Sequence, residues 1–276
     1  MQVGFIGLGD IGMPMALSLV DSEFDVVGWD LAEEKLARLT EAGGTAATGV
    51  DDFADCEVVC LAVPDDSIVE SVLVEQGLLD ALSTGSVLVH STVLPDTIER
   101  LVSDADGEVQ ILDAPVSGGA ARARDGSLTI MLGGEPSDAA QKVLDALGTT
   151  VRCGRPGAGA AVKLANQLSM LASLQALYEG LELTSAYDVD TSLVLDTLSS
   201  STGDTWVARN WGFFDDLALA YDKAGVEVKF RPWSKDLFDV VSAVRQAGTS
   251  APMAALLSQI LAERVERHAH ESGSGS

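Results

Sequence analysis

Val3-Gly-Phe-Ile6 runs directly into Gly7-Leu-Gly-Asp-Ile-Gly12 and then Met13-Pro-Met-Ala16: an apolar run, a glycine-spaced turn and a helix-forming stretch. In that order, G-x-G-x-x-G has a physical reading. Gly7 permits a tight turn after a strand, Gly9 lets the main chain approach a pyrophosphate, and Gly12 allows close packing of helix on strand. The loop of Gly7, Leu8, Gly9, Asp10, Ile11 and Gly12 would then present amides to the anion at a helix N-terminus. A glycine-rich turn with no ligand is the alternative. The next apolar run ends at Trp29-Asp30, and Asp30 lies 18 residues beyond Gly12, near the offset of about 20 for a carboxylate that accepts from adenosine ribose hydroxyls. A carboxylate there repels an additional phosphate, and the next basic residue, Lys35, falls inside a helix. The reading is therefore NAD in preference to NADP. Asp30 can also be read as a cap ahead of the Glu33-Glu34 helix, and the two roles can coexist.

Working outward, β-rich runs at Val3–Ile6, Val26–Trp29, Val58–Val63, Val87–Val89, Val109–Leu112 and Leu128–Leu132 alternate with helical stretches at Met13–Asp21, Ala32–Ala42, Pro95–Ser103 and Ser137–Leu147. That rhythm predicts α/β architecture with a doubly wound, mostly parallel sheet of Rossmann type, and the unbroken apolar strands fit a sheet covered on both faces. After Arg155-Pro-Gly-Ala-Gly159 strands all but disappear. Leu164, Leu168, Leu171, Leu174, Leu177 and Leu181 form a stripe of helical period, and helices are expected at Ser192–Ser199, Lys235–Gln246 and Met253–His268. The expected organisation is a dinucleotide-binding domain over 1–157, an interdomain helix over 158–187, an all-α C-terminal domain over 188–270 and a flexible tail over 271–276.

The 276 residues carry 17 Lys and Arg against 42 Asp and Glu, a formal charge of −25. That field repels polyanions and excludes nucleic acid as a natural partner. It also repels anionic cofactors and acids, so a site for either needs locally placed cations and amides. Five of the 17 basic residues, Arg209, Lys223, Lys229, Arg231 and Lys235, fall within 27 positions. Some are expected to face an anionic ligand, while ion-paired surface is the reading for most. Three cysteines, Cys56, Cys60 and Cys153, make neither a disulfide framework nor a zinc site, so no metal and a cytoplasmic setting are expected. No stretch is long and apolar enough for a membrane span, and no secretory signal opens the chain.

For proton transfer, a Tyr-x-x-x-Lys pair is absent: Glu182, Thr191 and Gly225 stand four beyond Tyr178, Tyr187 and Tyr221. His90, at a strand end beside Ser91-Thr92, is a candidate acid or a packing residue. Lysine is left, and Lys163 opens the long helix with Asn166 and Gln167 three and four residues on, on its own face. This polar trio among alanines and leucines reads as a site; a solvated helix face is the alternative. Ser117-Gly118-Gly119 follows a strand end and offers a hydroxyl and unobstructed amides to an oxyanion, or is a plain turn. Arg122 and Arg124 nearby are either substrate contacts or surface.

Four segments carry a resemblance: Gly4 to Ala16; Asp113-Ala-Pro-Val-Ser-Gly-Gly119 continuing through Ala123 and Gly126 to Gly133-Gly134; Gly159 to Lys163-Leu-Ala-Asn-Gln167; and Lys235-Asp-Leu237. Together they resemble the β-hydroxyacid dehydrogenase family, which includes 3-hydroxyisobutyrate dehydrogenase and tartronate semialdehyde reductase. The resemblance implies that Lys163 is the general acid and base, that Ser117, Gly118 and Gly119 bind the substrate carboxylate, and that Asn166 and Gln167 orient the substrate. It further implies cofactor contacts from Val63-Pro64 and Ser91-Thr92, and places Lys235, shared by substrate and cofactor, with Asp236 at the mouth of the site. Many members have Asn where this chain has Gln167, and the decarboxylating 6-phosphogluconate relatives carry a His-Asn pair after the lysine that is missing here.

The implied activity is NAD-dependent hydride transfer between a small 3-hydroxyacid and its semialdehyde or 3-keto acid, as in 3-hydroxyisobutyrate dehydrogenase or 2-hydroxy-3-oxopropionate reductase. The implied partners are a small carboxylate substrate and copies of the chain in a homodimer or homotetramer. An imine- or amine-forming reductase, a class that usually lacks the lysine, and a non-catalytic dinucleotide-binding scaffold are the alternatives on this fold.

Overall fold

A computed structural model describes residues 1–82, 84–105 and 108–273. Its strands are β1 (Gln2–Ile6), β2 (Asp25–Trp29), β3 (Thr45–Ala46), β4 (Val58–Leu61), β5 (Gly85–Val89), β6 (Val109–Asp113), β7 (Val116–Ser117), β8 (Leu128–Gly133) and β9 (Gly148–Gly154). They form one sheet in the order β3-β2-β1-β4-β5-β6-β8-β7, with β9 paired to β8. The order runs outward in one direction through β2 and β3 and in the other from β4, so the direction reverses beside β1. In sheets of this kind that reversal opens a crevice outside the strand C-termini. Pairing is parallel from β3 across to β6 and between β8 and β9, whereas β8 is antiparallel to β6 and β7.

The chain divides into two compact units, Met1–Lys163 and Leu164–Ser276. In the first, side chains alternate between the sheet's two faces as strand geometry requires. Val58, Cys60 and Leu88 join one core with Met15, Leu19 and Leu144, while Val59, Leu61, Val87 and Val89 join another with Phe53, Leu73 and Ile98. Burying both faces explains why these strands read as continuous apolar runs.

The long helix spans Ala158–Ser185, and the passage between units falls inside it rather than at its start. Leu171, Leu174 and Leu177 sit in the core of the second unit with Leu168 and Leu181 packed at its edge, so the leucine stripe faces inward. The other helices of this unit are Thr191–Ser199, Trp206–Arg209, Phe213–Ala224, Pro232–Gln246 and Pro252–Gly273. The last corrects the expected tail: Glu271–Gly273 continue the helix, and 274–276 lie outside the described residues. Among the described residues, no helix is long and apolar enough to cross a membrane.

Candidate active site

At the end of β1 the main chain turns through Gly7, whose φ is +90°. An L side chain is strained there, and a Cβ would stand 2.4 Å from the carbonyl oxygen of Ala62. At Gly12 a Cβ would stand 1.9 Å from the carbonyl of Gly7, while at Gly9 it would meet nothing within 4 Å. The first and third glycines are thus fixed by the fold's own packing. The second faces open space, as a cradle for a ligand group requires.

Asp30 closes this loop from the end of β2. Its Oδ2 accepts from the Leu8 amide at 2.8 Å and its Oδ1 from the Ala32 amide at 3.0 Å. Lys35, although inside a helix, reaches back to both oxygens at 3.2 and 3.3 Å. The Asp30 carboxylate is therefore accompanied by a cation, which spacing along the sequence did not reveal. The loops after β4 and β5 are joined as well, since Val63 donates its amide to Ser91 Oγ at 2.9 Å. Pro64 beside them is exposed and Thr92 partly buried.

His90, at the end of β5, is buried, and Nδ1 donates to the Ala114 carbonyl at 2.7 Å. Burial drives its pKa down to about 4, so the ring is neutral at physiological pH and is no reservoir of protons.

The segment after β6 gathers several features of the first unit. Asp113 is fully buried and accepts from the amides of Gly157 and Ala160 at 2.8 and 2.7 Å. Burial raises its pKa, against the lowering by those amides. Three residues on, the Val116 carbonyl accepts from Lys163 Nζ at 2.9 Å, and Lys163 is 9% exposed. Ser117, Gly118 and Gly119 follow at once and lead into a short helix, Gly119–Arg124. Arg122 bonds the Ser127 carbonyl and Arg124 pairs with Asp21, so both arginines are engaged at the surface.

In the second unit, Asn166 Nδ2 donates to Gln167 Oε1 at 3.1 Å, and Gln167 Nε2 donates to Asp236 Oδ2 at 2.6 Å. Lys235 lies 3.7 Å from Asp236 and 2.6 Å from Asp239. Asn166, Gln167, Lys235 and Asp236 are thereby one chain of contacts, to which the structure adds Asp239; its place one helical turn beyond Lys235 was the signal that could have found it.

The basic cluster follows the ion-paired reading given for most of it, with Arg231 buried rather than at the surface. Arg231 is buried, holding Asp222 and Glu266 at 2.7 Å, Arg209 pairs with Asp204 and Lys229 with Glu227. These three are occupied within the unit, because a guanidinium or ammonium near so many carboxylates finds a partner locally. Asp222, Glu266 and His270 also lie close enough to hold a metal ion, but both carboxylates already have Arg231 as their cation.

A doubly wound sheet with a glycine loop beside its reversal point, followed by an all-helical unit, defines a dinucleotide-binding oxidoreductase. Residues 2–154 match the family model of the NAD binding domain of 6-phosphogluconate dehydrogenase, and residues 157–274 that described as NAD-binding of NADP-dependent 3-hydroxyisobutyrate dehydrogenase. The chain belongs to the β-hydroxyacid dehydrogenase family and has the NAD(P)-binding domains of that family. An L-threonate dehydrogenase of Cupriavidus necator is 35% identical over 76% of this chain and 73% of its own length. An NAD-dependent L-serine dehydrogenase of Pseudomonas aeruginosa is 29% identical over 92% and 89%. Among solved structures, Mycobacterium tuberculosis 3-hydroxyisobutyrate dehydrogenase with L-serine aligns with a TM-score of 0.81 at 24% identity, over 97% of this chain and 94% of that one. A Streptomyces aurantiacus imine reductase aligns at 0.67 and 18% identity, over 93% and 92%. At such identities the two structures speak for the fold alone.

Proposed function

We propose that the protein interconverts a small 3-hydroxyacid and its semialdehyde or 3-keto acid, using NAD in preference to NADP, with Lys163 as general acid and base. The observation that carries this reading is Lys163, a residue 9% exposed whose ammonium is held 2.9 Å from the Val116 carbonyl, immediately before Ser117-Gly118-Gly119. A nicotinamide supplies hydride transfer at its C4 when bound. The open cradle at Gly9 and the Asp30 carboxylate fit the pyrophosphate and ribose of such a group. Ser117 and the following amides hold the substrate carboxylate, while Asn166 and Gln167 orient its polar groups. In reduction, Lys163 delivers a proton to the carbonyl oxygen; in oxidation it accepts one from the hydroxyl. His90, neutral and turned to Ala114, leaves that work to the lysine.

The test is turnover of a panel of 3-hydroxyacids, including 3-hydroxyisobutyrate, glycerate, serine and 4-hydroxybutyrate, with both dinucleotides. Lys163→Met is expected to lower kcat by roughly 10²- to 10⁴-fold with NADH affinity retained. Near-full activity in that variant refutes the role. Turnover of a ketone plus an amine in preference to every hydroxyacid would establish an imine-forming activity instead, and tight NADH binding without any turnover a scaffold. The three free cysteines suit a reducing compartment, and we propose the cytoplasm.

A further inference from the structure

Lys163 is held to the first unit by a link with a companion of matching spacing. Ala160 donates its amide to Asp113 and Lys163 donates its ammonium to Val116 O, and both pairs are separated by 47 residues. The link from the end of β6 to the start of β7, Asp113 to Val116, thus grips the first turns of the long helix at two points three residues apart. The amides concerned are ones a helix cannot satisfy itself, because the first four N–H groups have no partner within it. The earliest internal bond here runs from Ala161 to Gly157, so the amides of Gly157 and Ala160 are left over, and Asp113 takes both. The site is shaped for this carboxylate. A Cβ on Gly133 would stand 2.2 Å from Asp113 Oδ1, and a Cβ on Gly159 2.9 Å from Oδ2.

We propose that Asp113 is a positioning residue for Lys163: by receiving the helix N-terminus, it sets where along Val116-Ser117 the ammonium is delivered. The inference rests on the reading of Lys163 as the proton-transfer group. Asp113 itself touches neither substrate nor cofactor in this scheme. A carboxylate with no exposed surface, spent on backbone amides one helical turn before the lysine, has a reason to be there beyond solubility or surface charge. Asparagine retains one acceptor oxygen but turns an NH₂ group toward an amide donor, so Asp113→Asn releases one of the two amides and lets the helix start shift. A displacement of about 1 Å at a reacting group costs up to 10²-fold in rate.

The experiment is a double-mutant cycle of Asp113→Asn and Lys163→Met, read as kcat on the best substrate of the panel, with NADH affinity followed by fluorescence. Asp113→Asn alone is expected to lower kcat by about 10- to 100-fold with NADH affinity within about twofold of the parent. In the Lys163→Met background it is expected to lower the residual rate by less than about twofold, because there is no ammonium left to misplace. Equal losses in both backgrounds, or a loss that follows NADH affinity or the folded fraction, overturn the inference while leaving the Lys163 role standing. Full activity in Lys163→Met alone overturns both. If Asp113→Asn gives no cooperative melt, the cycle is run with Asp113→Glu, which keeps the charge but moves it by one methylene. A crystal structure of the folded variant supplies a second reading: an Nζ to Val116 O distance beyond hydrogen-bond range supports the inference, and an unchanged 2.9 Å refutes it.

Discussion

At Asp30, two amides and one ammonium converge on a single carboxylate, and on the proposed reading cofactor choice follows from how those charges balance. The carboxylate repels a 2′-phosphate, but Lys35 stands 3.2 Å away and would attract one once freed. Asp30→Asn is therefore expected to raise kcat/KM for NADPH relative to NADH by roughly tenfold, the size of removing one charge about 4 Å from a phosphate in a partly solvated site. Adding Lys35→Ala should cancel the gain; an unmoved ratio in the single variant would contradict the assignment. The offset from Gly12 made Asp30 legible in the sequence, while Lys35 was not, because helix membership says nothing about how far a four-carbon chain reaches back. His90 offers a second expectation. Its pKa is about 4 when folded, against an ordinary 6.5. Between those values the unfolded chain binds a proton that the native state refuses, so this residue's contribution to stability is present above 6.5 and is lost as pH falls toward 4. The span corresponds to about 3 kcal/mol. Asp113, raised by burial, acts in the opposite sense. Urea midpoints at pH 7 and pH 4.5 check this: His90→Gln should lose less stability on acidification than the parent, and a parallel loss would speak against it.

Among the elements, β1, β2, β4, β5, β6 and β8 were legible because burial on both faces leaves an apolar run. β9 was not, since Gly148-Thr-Thr-Val-Arg-Cys-Gly154 is a largely exposed strand and shows no such run. The helix Phe213–Ala224 was missed although Gly212 and Gly225, with φ of +92° and +69°, close its two ends and Asp215, Asp216 and Lys223 match its dipole. In the candidate site, Lys163, Asn166 and Gln167 were legible as neighbours on one helix, but the bonds from Gly157 and Ala160 to Asp113 and from Gln167 to Asp236 were not. Those pairs meet only because separate elements pack together, and no local pattern records that. Arg231 shows the same principle in the helical unit. It binds Asp222 of one helix and Glu266 of another, and the Val226 carbonyl at 2.8 Å, while Trp233 donates to Glu266 at 2.8 Å. Removing the guanidinium takes the arginine cation from two carboxylates, one of them largely buried. Arg231→Met is thus expected to destabilise the protein by about 3 kcal/mol, read from chemical denaturation. A change below about 0.5 kcal/mol would mean the three elements hold without it.

For the whole molecule, a formal charge of −25 on 276 residues opposes the meeting of two copies, while the distribution of exposed apolar side chains favours it. Leu183, Tyr187, Leu193, Trp206, Phe238, Met253 and Leu256 all lie in the second unit and are each more than half exposed. Isolated exposed apolar groups are ordinary, but this many on one helical unit are the basis on which we propose that copies of the chain associate through it. The two forces differ in their response to salt. Like-charge repulsion is screened as the Debye length falls from about 30 Å at 0.01 M to about 8 Å at 0.15 M, whereas apolar burial changes little. A dimer or tetramer is therefore expected by light scattering at micromolar concentration in 0.15 M salt, with dissociation favoured as salt is lowered. Replacing Phe238 and Leu256 by Ser should shift the mass toward the monomer. A monomer throughout, or an assembly that salt disperses, would show that these side chains are not an interface between copies and that charge pairing, if anything, joins them.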